Sequence, residues 1–199
     1  MENNTLKTLE YYRKNAESFK AGTQKIDFSK TQKMFLKYLP GKAKILDFGC
    51  GVGRDTKYFL EKGYQVDATD GSPEMCHIAS EYTGVPIKQM YFEELSVTEE
   101  YDGIWACSSI LHLPKKELTD VIRKMIVALK PDGTIYTSFK YGTFEGERGD
   151  RYFTDFTEES FEQYLKQFTA LNLTEYWVTA DIRPGREKEK WLNVILKKG

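Results

Sequence analysis

Apolar and polar positions along this chain change period repeatedly. Over residues 5–20 and 28–39 the spacing is helical. In the second run Met34, Phe35, Tyr38 and Leu39 share one face, and Pro40-Gly41 stops it. Residues 43–48 then form a short apolar run ending at glycines, the pattern of a buried strand. A helix over 55–62 closes at Gly63, a second strand follows over 64–69, and Pro73 opens a helix that Ser72 is placed to cap. Residues 85–90 predict a third strand and 103–108 a fourth. A helix runs from Pro114 to about Leu129, and Pro131-Asp132-Gly133 turns the chain into a fifth strand over 134–139.

Strand–helix alternation of this kind implies crossover units. The predicted fold is α/β, a Rossmann-like, doubly wound and mostly parallel sheet with helices on both faces. The C-terminal part reads differently. Thr157 caps a helix to about Phe168, and strand-like runs at 173–180 and 191–197 flank a turn at 181–186, so an antiparallel pair is expected at one sheet edge. With no repeat or linker, the chain reads as one domain over 1–199, a helical lid over 1–40 preceding a core over 41–199.

Composition narrows the function classes. The 199 residues carry 29 Lys+Arg against 30 Asp+Glu, a balance that argues against nucleic-acid or anionic-membrane binding. No apolar run approaches the roughly 18 residues of a membrane span. The polar start and an odd count of three cysteines, none in C-x-x-C spacing, suit a reducing, cytoplasmic location. No His/Cys pair has zinc-ligand spacing, so no metal is expected.

The strongest local signal is the segment Asp47-Phe48-Gly49-Cys50-Gly51-Val52-Gly53-Arg54-Asp55, which joins the first strand to a helix. Alternate glycines allow a tight turn and close approach of a ligand to the main chain. A dinucleotide loop reads G-x-G-x-x-G, and Arg54 stands where its last glycine belongs. Asp70 ends the second strand, 21 positions beyond Gly49, where a carboxylate accepts from a ribose diol.

The run from Ile45 to Asp55 resembles the first motif of class I S-adenosylmethionine-dependent methyltransferases. Ala68-Thr69-Asp70-Gly71-Ser72-Pro73-Glu74-Met75 is similar to their second, residues 101–112 to their fourth strand, and Leu129-Lys130-Pro131-Asp132-Gly133-Thr134 to the turn before their fifth. The outer segments resemble small bacterial members of the tellurite-resistance-like branch. The resemblance implies the cofactor S-adenosylmethionine. Gly49, Cys50 and Gly51 would pass its methionine part, Gly53 and Arg54 would complete the cofactor-binding loop, and Asp70 would hold the ribose. Gly71, Ser72 and Met75 would lie beside ribose and adenine, Cys107 near the sulfonium, and Tyr12 over the cofactor as part of a lid. Where the family often has an Asp after the third strand, this chain has Met90-Tyr91-Phe92-Glu93, so Tyr91 or Phe92 is expected to serve adenine.

Methyl transfer from a sulfonium needs positioning above all, and a base only when the accepting atom is protonated. His112, past the fourth strand, is the candidate catalytic residue. Residues 140–153 read as a long glycine-interrupted loop in which Lys140, Arg148, Arg151 and Tyr152 are candidate substrate contacts, with Tyr11 facing them from the N-terminal helix. The stretch Ala106-Cys107-Ser108-Ser109-Ile110 lacks both the Asn/Asp-Pro-Pro-Tyr of amino-methylating nucleic-acid enzymes and the Pro-Cys of cytosine-C5 enzymes. The expected activity is therefore methylation of a small molecule, with the basic residues favouring an anionic one. An NAD-dependent oxidoreductase and a non-catalytic cofactor-binding module are the alternatives.

Overall fold

The computed structural model describes residues 3–199. The N-terminal run divides at Asn15 into α1 (Asn3–Lys14) and α2 (Ala16–Thr23) rather than forming one helix, and α3 (Ser29–Leu36) follows. The core alternates as expected: β1 (Lys44–Phe48), α4 (Arg54–Glu61), β2 (Gln65–Asp70), α5 (Pro73–Thr83), β3 (Lys88–Gln89), β4 (Tyr101–Ala106), α6 (Lys115–Ala128) and β5 (Leu129–Lys140). Ser72 caps α5, its hydroxyl accepting from the Met75 N–H at 3.3 Å, with Pro73 in the first turn. The third strand pairs over two residues only, Lys88 and Gln89, both exposed at the sheet margin.

One expectation is overturned outright. The glycine-interrupted loop is a second, two-stranded sheet, with β6 (Glu145–Arg148) antiparallel to β7 (Arg151–Thr154) across Gly149-Asp150. Gly149 sits at φ 59°, the left-handed geometry that tight hairpins require. The chain ends with α7 (Glu158–Leu165), capped by Thr157, then β8 (Leu171–Ala180) and β9 (Lys190–Lys198).

The main sheet has the order β3-β2-β1-β4-β5-β9-β8, with β9 antiparallel to both its neighbours. Alternation along the strands sends Ile45, Trp105, Tyr136 and Ile195 to one face with Phe35 and Phe59, where Trp105 and Tyr136 stack at 3.9 Å. Leu46, Phe48, Ile104 and Ile135 go to the other face, against α6 and α7. A smaller cluster joins Ala16 of α2 to Val52, Met75 and Ile78, with Tyr12 and Phe19 against it. Residues 3–23 therefore pack on the carboxyl ends of the parallel strands, above the crevice where open α/β sheets bind ligands.

Candidate functional site

At the end of β1 the chain turns through Gly49, Gly51 and Gly53, at φ 85°, 54° and 80°. A side chain at Gly49 is excluded doubly: an added Cβ would lie 2.5 Å from Cβ of Ser109. Asp70 organises this loop from the end of β2. Its Oδ2 accepts from the Gly51 N–H and its Oδ1 from the Ser72 N–H, each at 2.9 Å. Burial raises the Asp70 carboxyl above its ordinary value and these backbone donors oppose that shift. A carboxylate oxygen accepts more than one hydrogen bond, so capacity remains for a diol.

Behind the loop, Asp55 accepts from Arg54, from Trp105 Nε1 at 2.9 Å and from Gln32 at 2.7 Å. Burial pushes its carboxyl up, but Arg54 and these donors hold it below the ordinary value. Asp47 accepts from Thr56 and is pushed up to about 8, by burial first and the Asp55 charge second. Arg54 lies 4.4 Å over the Phe28 ring and near the Cys107 thiol, which burial raises to about 12 and so keeps un-ionised.

The opposite wall is built by His112, Tyr12 and Arg151. His112 Nδ1 lies 2.7 Å from the Tyr152 carbonyl, which can only accept, so Nδ1 carries the proton. Its Nε2 is then an acceptor, and the Tyr12 hydroxyl at 2.9 Å donates to it. Arg151 approaches the same hydroxyl oxygen at 3.4 Å. Burial, with Arg151 close by, pushes the imidazole down to about 3 and keeps it neutral. Burial also raises the Tyr12 phenol.

These walls enclose one cavity of about 220 Å³, lined by Gly49, Asp70, Tyr91, Cys107, His112 and Arg151 among others. A water needs roughly 10–15 Å³ on this scale, so the space admits a whole small molecule. Tyr12, Cys50, Gly51, Arg54, Gly71, Met75, Phe92 and Lys140 also reach it. Five expected contacts fall outside the lining. Gly53 packs against Ala79 and Thr83 of α5, and Ser72 is consumed in capping. Arg148 is held by Asp155, Tyr11 lies under the Arg151 guanidinium, and Tyr152 contributes its main-chain carbonyl to His112.

Residues 45–133 match the family described as methyltransferase domain. This stretch is similar to a methyltransferase domain. The methyl donor of that family is S-adenosylmethionine. The chain is 28% identical over 106 residues to a methyltransferase of Staphylococcus carnosus (50% of this chain, 51% of the relative). It is 30% identical over 106 residues to the ubiquinone biosynthesis O-methyltransferase of Xanthomonas axonopodis pv. citri (50% and 44%). The chain thus spans about half the length of the curated relatives it matches. Among solved structures, the Burkholderia thailandensis 1,6-didemethyltoxoflavin-N1-methyltransferase, with its substrate and S-adenosylhomocysteine bound, superposes with a TM-score of 0.76 at 21% identity, over 96% of this chain and 84% of that one. That likeness establishes the class I methyltransferase fold.

Outside residues 45–133 lie cavity residues that sequence reasoning missed. Thr8 and Leu9 of α1 and Phe28 form the roof, together with Phe19 of α2, an aromatic of the expected lid. Thr179, Asp181, Arg183, Arg186 and Trp191 close the far end from the β8–β9 connection. Asp181 is 5% exposed and accepts from Arg183 and Trp191, with Lys140 at 3.6 Å. Its signal in the sequence is the Asp-x-Arg spacing at a turn, which reads equally as a surface connection. No helix among the described residues is long and apolar enough to cross a membrane.

Proposed function

We propose that this chain methylates a small-molecule acceptor carrying an anionic group, by in-line displacement from S-adenosylmethionine. The observation that carries this reading is the single cavity shared by the glycine loop with Asp70 on one side and the Tyr12–His112–Arg151 group on the other. The residues present suit the cofactor. Gly49, Cys50 and Gly51 offer close main-chain approach, Asp70 keeps free acceptor capacity, and Tyr91 and Phe92 offer aromatic surface. Bound there, S-adenosylmethionine supplies an electrophilic methyl group on a sulfonium.

The chain's own work is to orient and to exclude water. Tyr12 commits its proton to His112, so its oxygen faces an acceptor as a hydrogen-bond acceptor. A buried imidazole at about 3 is a poor proton sink, so the pair serves to position the accepting O, N or S atom, and a proton carried on that atom leaves to solvent rather than to His112. The roof of α1 and α2 keeps the reacting atoms dry. The resemblance to tellurite-resistance-like enzymes keeps oxyanions among the acceptors worth screening.

Calorimetric titration with S-adenosylhomocysteine and with NAD tests the cofactor half. The homocysteine ligand is expected to bind and NAD not; the reverse would end this reading. Asp70→Ala should weaken binding by roughly 2–3 kcal/mol, the worth of a charged acceptor to the diol together with its hold on the loop. Methyl-labelled S-adenosylmethionine incubated with a metabolite extract tests the acceptor half. Label confined to macromolecules would contradict a small acceptor.

A further inference from the structure

Three cations were expected to meet an anionic acceptor, and the structure separates them. Arg148 is held by Asp155 through both terminal nitrogens, one at 3.0 Å. Lys140 is bound to Glu189 and lies 3.6 Å from Asp181. The other cavity guanidiniums are engaged too: Arg54 by Asp55, Arg183 by Asp181, Arg186 by Glu189. Arg151 differs. Among the described residues no carboxylate comes within ion-pair distance of it, and its buried Nε has no hydrogen-bond partner. Its guanidinium lies 4.2 Å over the Tyr11 ring and 5.0 Å over Phe153, and it donates only to the Tyr12 oxygen, at 3.4 Å.

Rings hold this cation in place without neutralising it. A buried donor without a partner is costly, and the Arg151 side chain lines the cavity beside the hydroxyl that faces the acceptor. We infer that Arg151 alone, not Lys140 or Arg148, forms the anion subsite, and that the acceptor's carboxylate or phosphate group binds it by a charge-assisted pair next to Tyr12. The inference rests on the methyltransferase reading, since it assigns the cofactor to the glycine-loop half. A guanidinium fork suits either anion, in one- or two-point contact.

The test uses the full chain saturated with S-adenosylhomocysteine, titrated with inorganic phosphate and separately with acetate. At least one anion should bind in the millimolar range. Arg151→Gln should weaken it at least tenfold, Arg151→Lys should retain part of the affinity, and Arg123→Gln, an exposed cation on α6, should change it less than twofold. Affinity for S-adenosylhomocysteine should stay within twofold in all three. Binding of phosphate alone marks a phosphate-bearing acceptor, and of acetate alone a carboxylate. The inference is overturned if neither anion binds, or if Arg151→Gln binds them as well as wild type. It also fails if Arg151→Gln loses tenfold in S-adenosylhomocysteine affinity, because the guanidinium would then serve the cofactor's own carboxylate. Failure of the wild type to bind S-adenosylhomocysteine at all would instead sink the reading beneath it.

Discussion

His112 shows how a residue's neighbours decide its chemistry. Its position after the fourth strand marks it as a site residue, yet its role depends on a main-chain carbonyl 40 positions away, at Tyr152, which no local pattern reveals. That carbonyl fixes the tautomer, and the tautomer turns Nε2 toward Tyr12. Asp70 was readable because strand end and glycine loop lie close in sequence; the separate fates of Arg148 and Arg151 were not, because they turn on Asp155 and the aromatic rings of another element. The low imidazole pKa has a consequence for stability. Unfolded His112 takes up a proton near pH 6.5 while the folded ring resists until about 3, so across that window the unfolded state binds more protons. Stability is therefore lost as pH falls from 6.5 toward 3, by up to about 1.4 kcal/mol per pH unit from this group. Urea unfolding between pH 7 and 4.5 should show this slope, and His112→Gln should reduce it. An unchanged slope would mean the ring ionises in the folded protein.

Elements were legible where period and punctuation agree. The apolar runs at β1 and β4 and the amphipathic α6, bracketed by Pro114 and Pro131, fall within two residues of their observed bounds. The hairpin β6–β7 was hidden because its strands mix charge with glycine, although Gly149-Asp150 between them is itself a hairpin signal. That hairpin anchors α1 through Thr8 and Tyr152, Lys7 and Glu147, and Arg151 and Tyr12. Polar contacts thus tie α1 to the hairpin, beside the apolar packing of Tyr12 and Phe19 on Val52, Met75 and Ile78, and the Tyr12 hydroxyl is shared by two of the partners. Tyr12→Phe keeps the ring but strips His112 Nε2 of its donor. Leaving that buried acceptor unpaired should cost about 1–3 kcal/mol, read as a lower urea midpoint with an unchanged slope. A midpoint equal to wild type would show that α1 does not depend on this bond.

For the molecule as a whole, the antiparallel β9 inserted between β5 and β8 is what brings the 181–189 connection back over the carboxyl edge. An antiparallel edge pair was foreseeable from the sequence; its order in the sheet was not, since either strand can pair with β5 on hydrophobic pattern alone. The result is a stiff sheet whose cavity is walled by three separate segments: α1–α2, the β6–β7 hairpin and the β8–β9 connection. A ligand lying among them binds the native state and not the unfolded chain. At 100 times its dissociation constant it stabilises by about 2.7 kcal/mol. At roughly 2–4 °C per kcal/mol for a chain of this size, S-adenosylhomocysteine should raise the melting temperature by about 5–10 °C. Amide exchange should slow most in α1, where Thr8, Leu9 and Tyr12 line the cavity, and little in β1, β4 and β5, which are already buried in the sheet. The contrast follows from the polar ties of α1 to the hairpin: contacts that open readily in the free protein gain the most when a ligand fills the space beneath them. Equal slowing throughout the sheet and α1 would mean that the roof opens only with global unfolding, and that it is no lid.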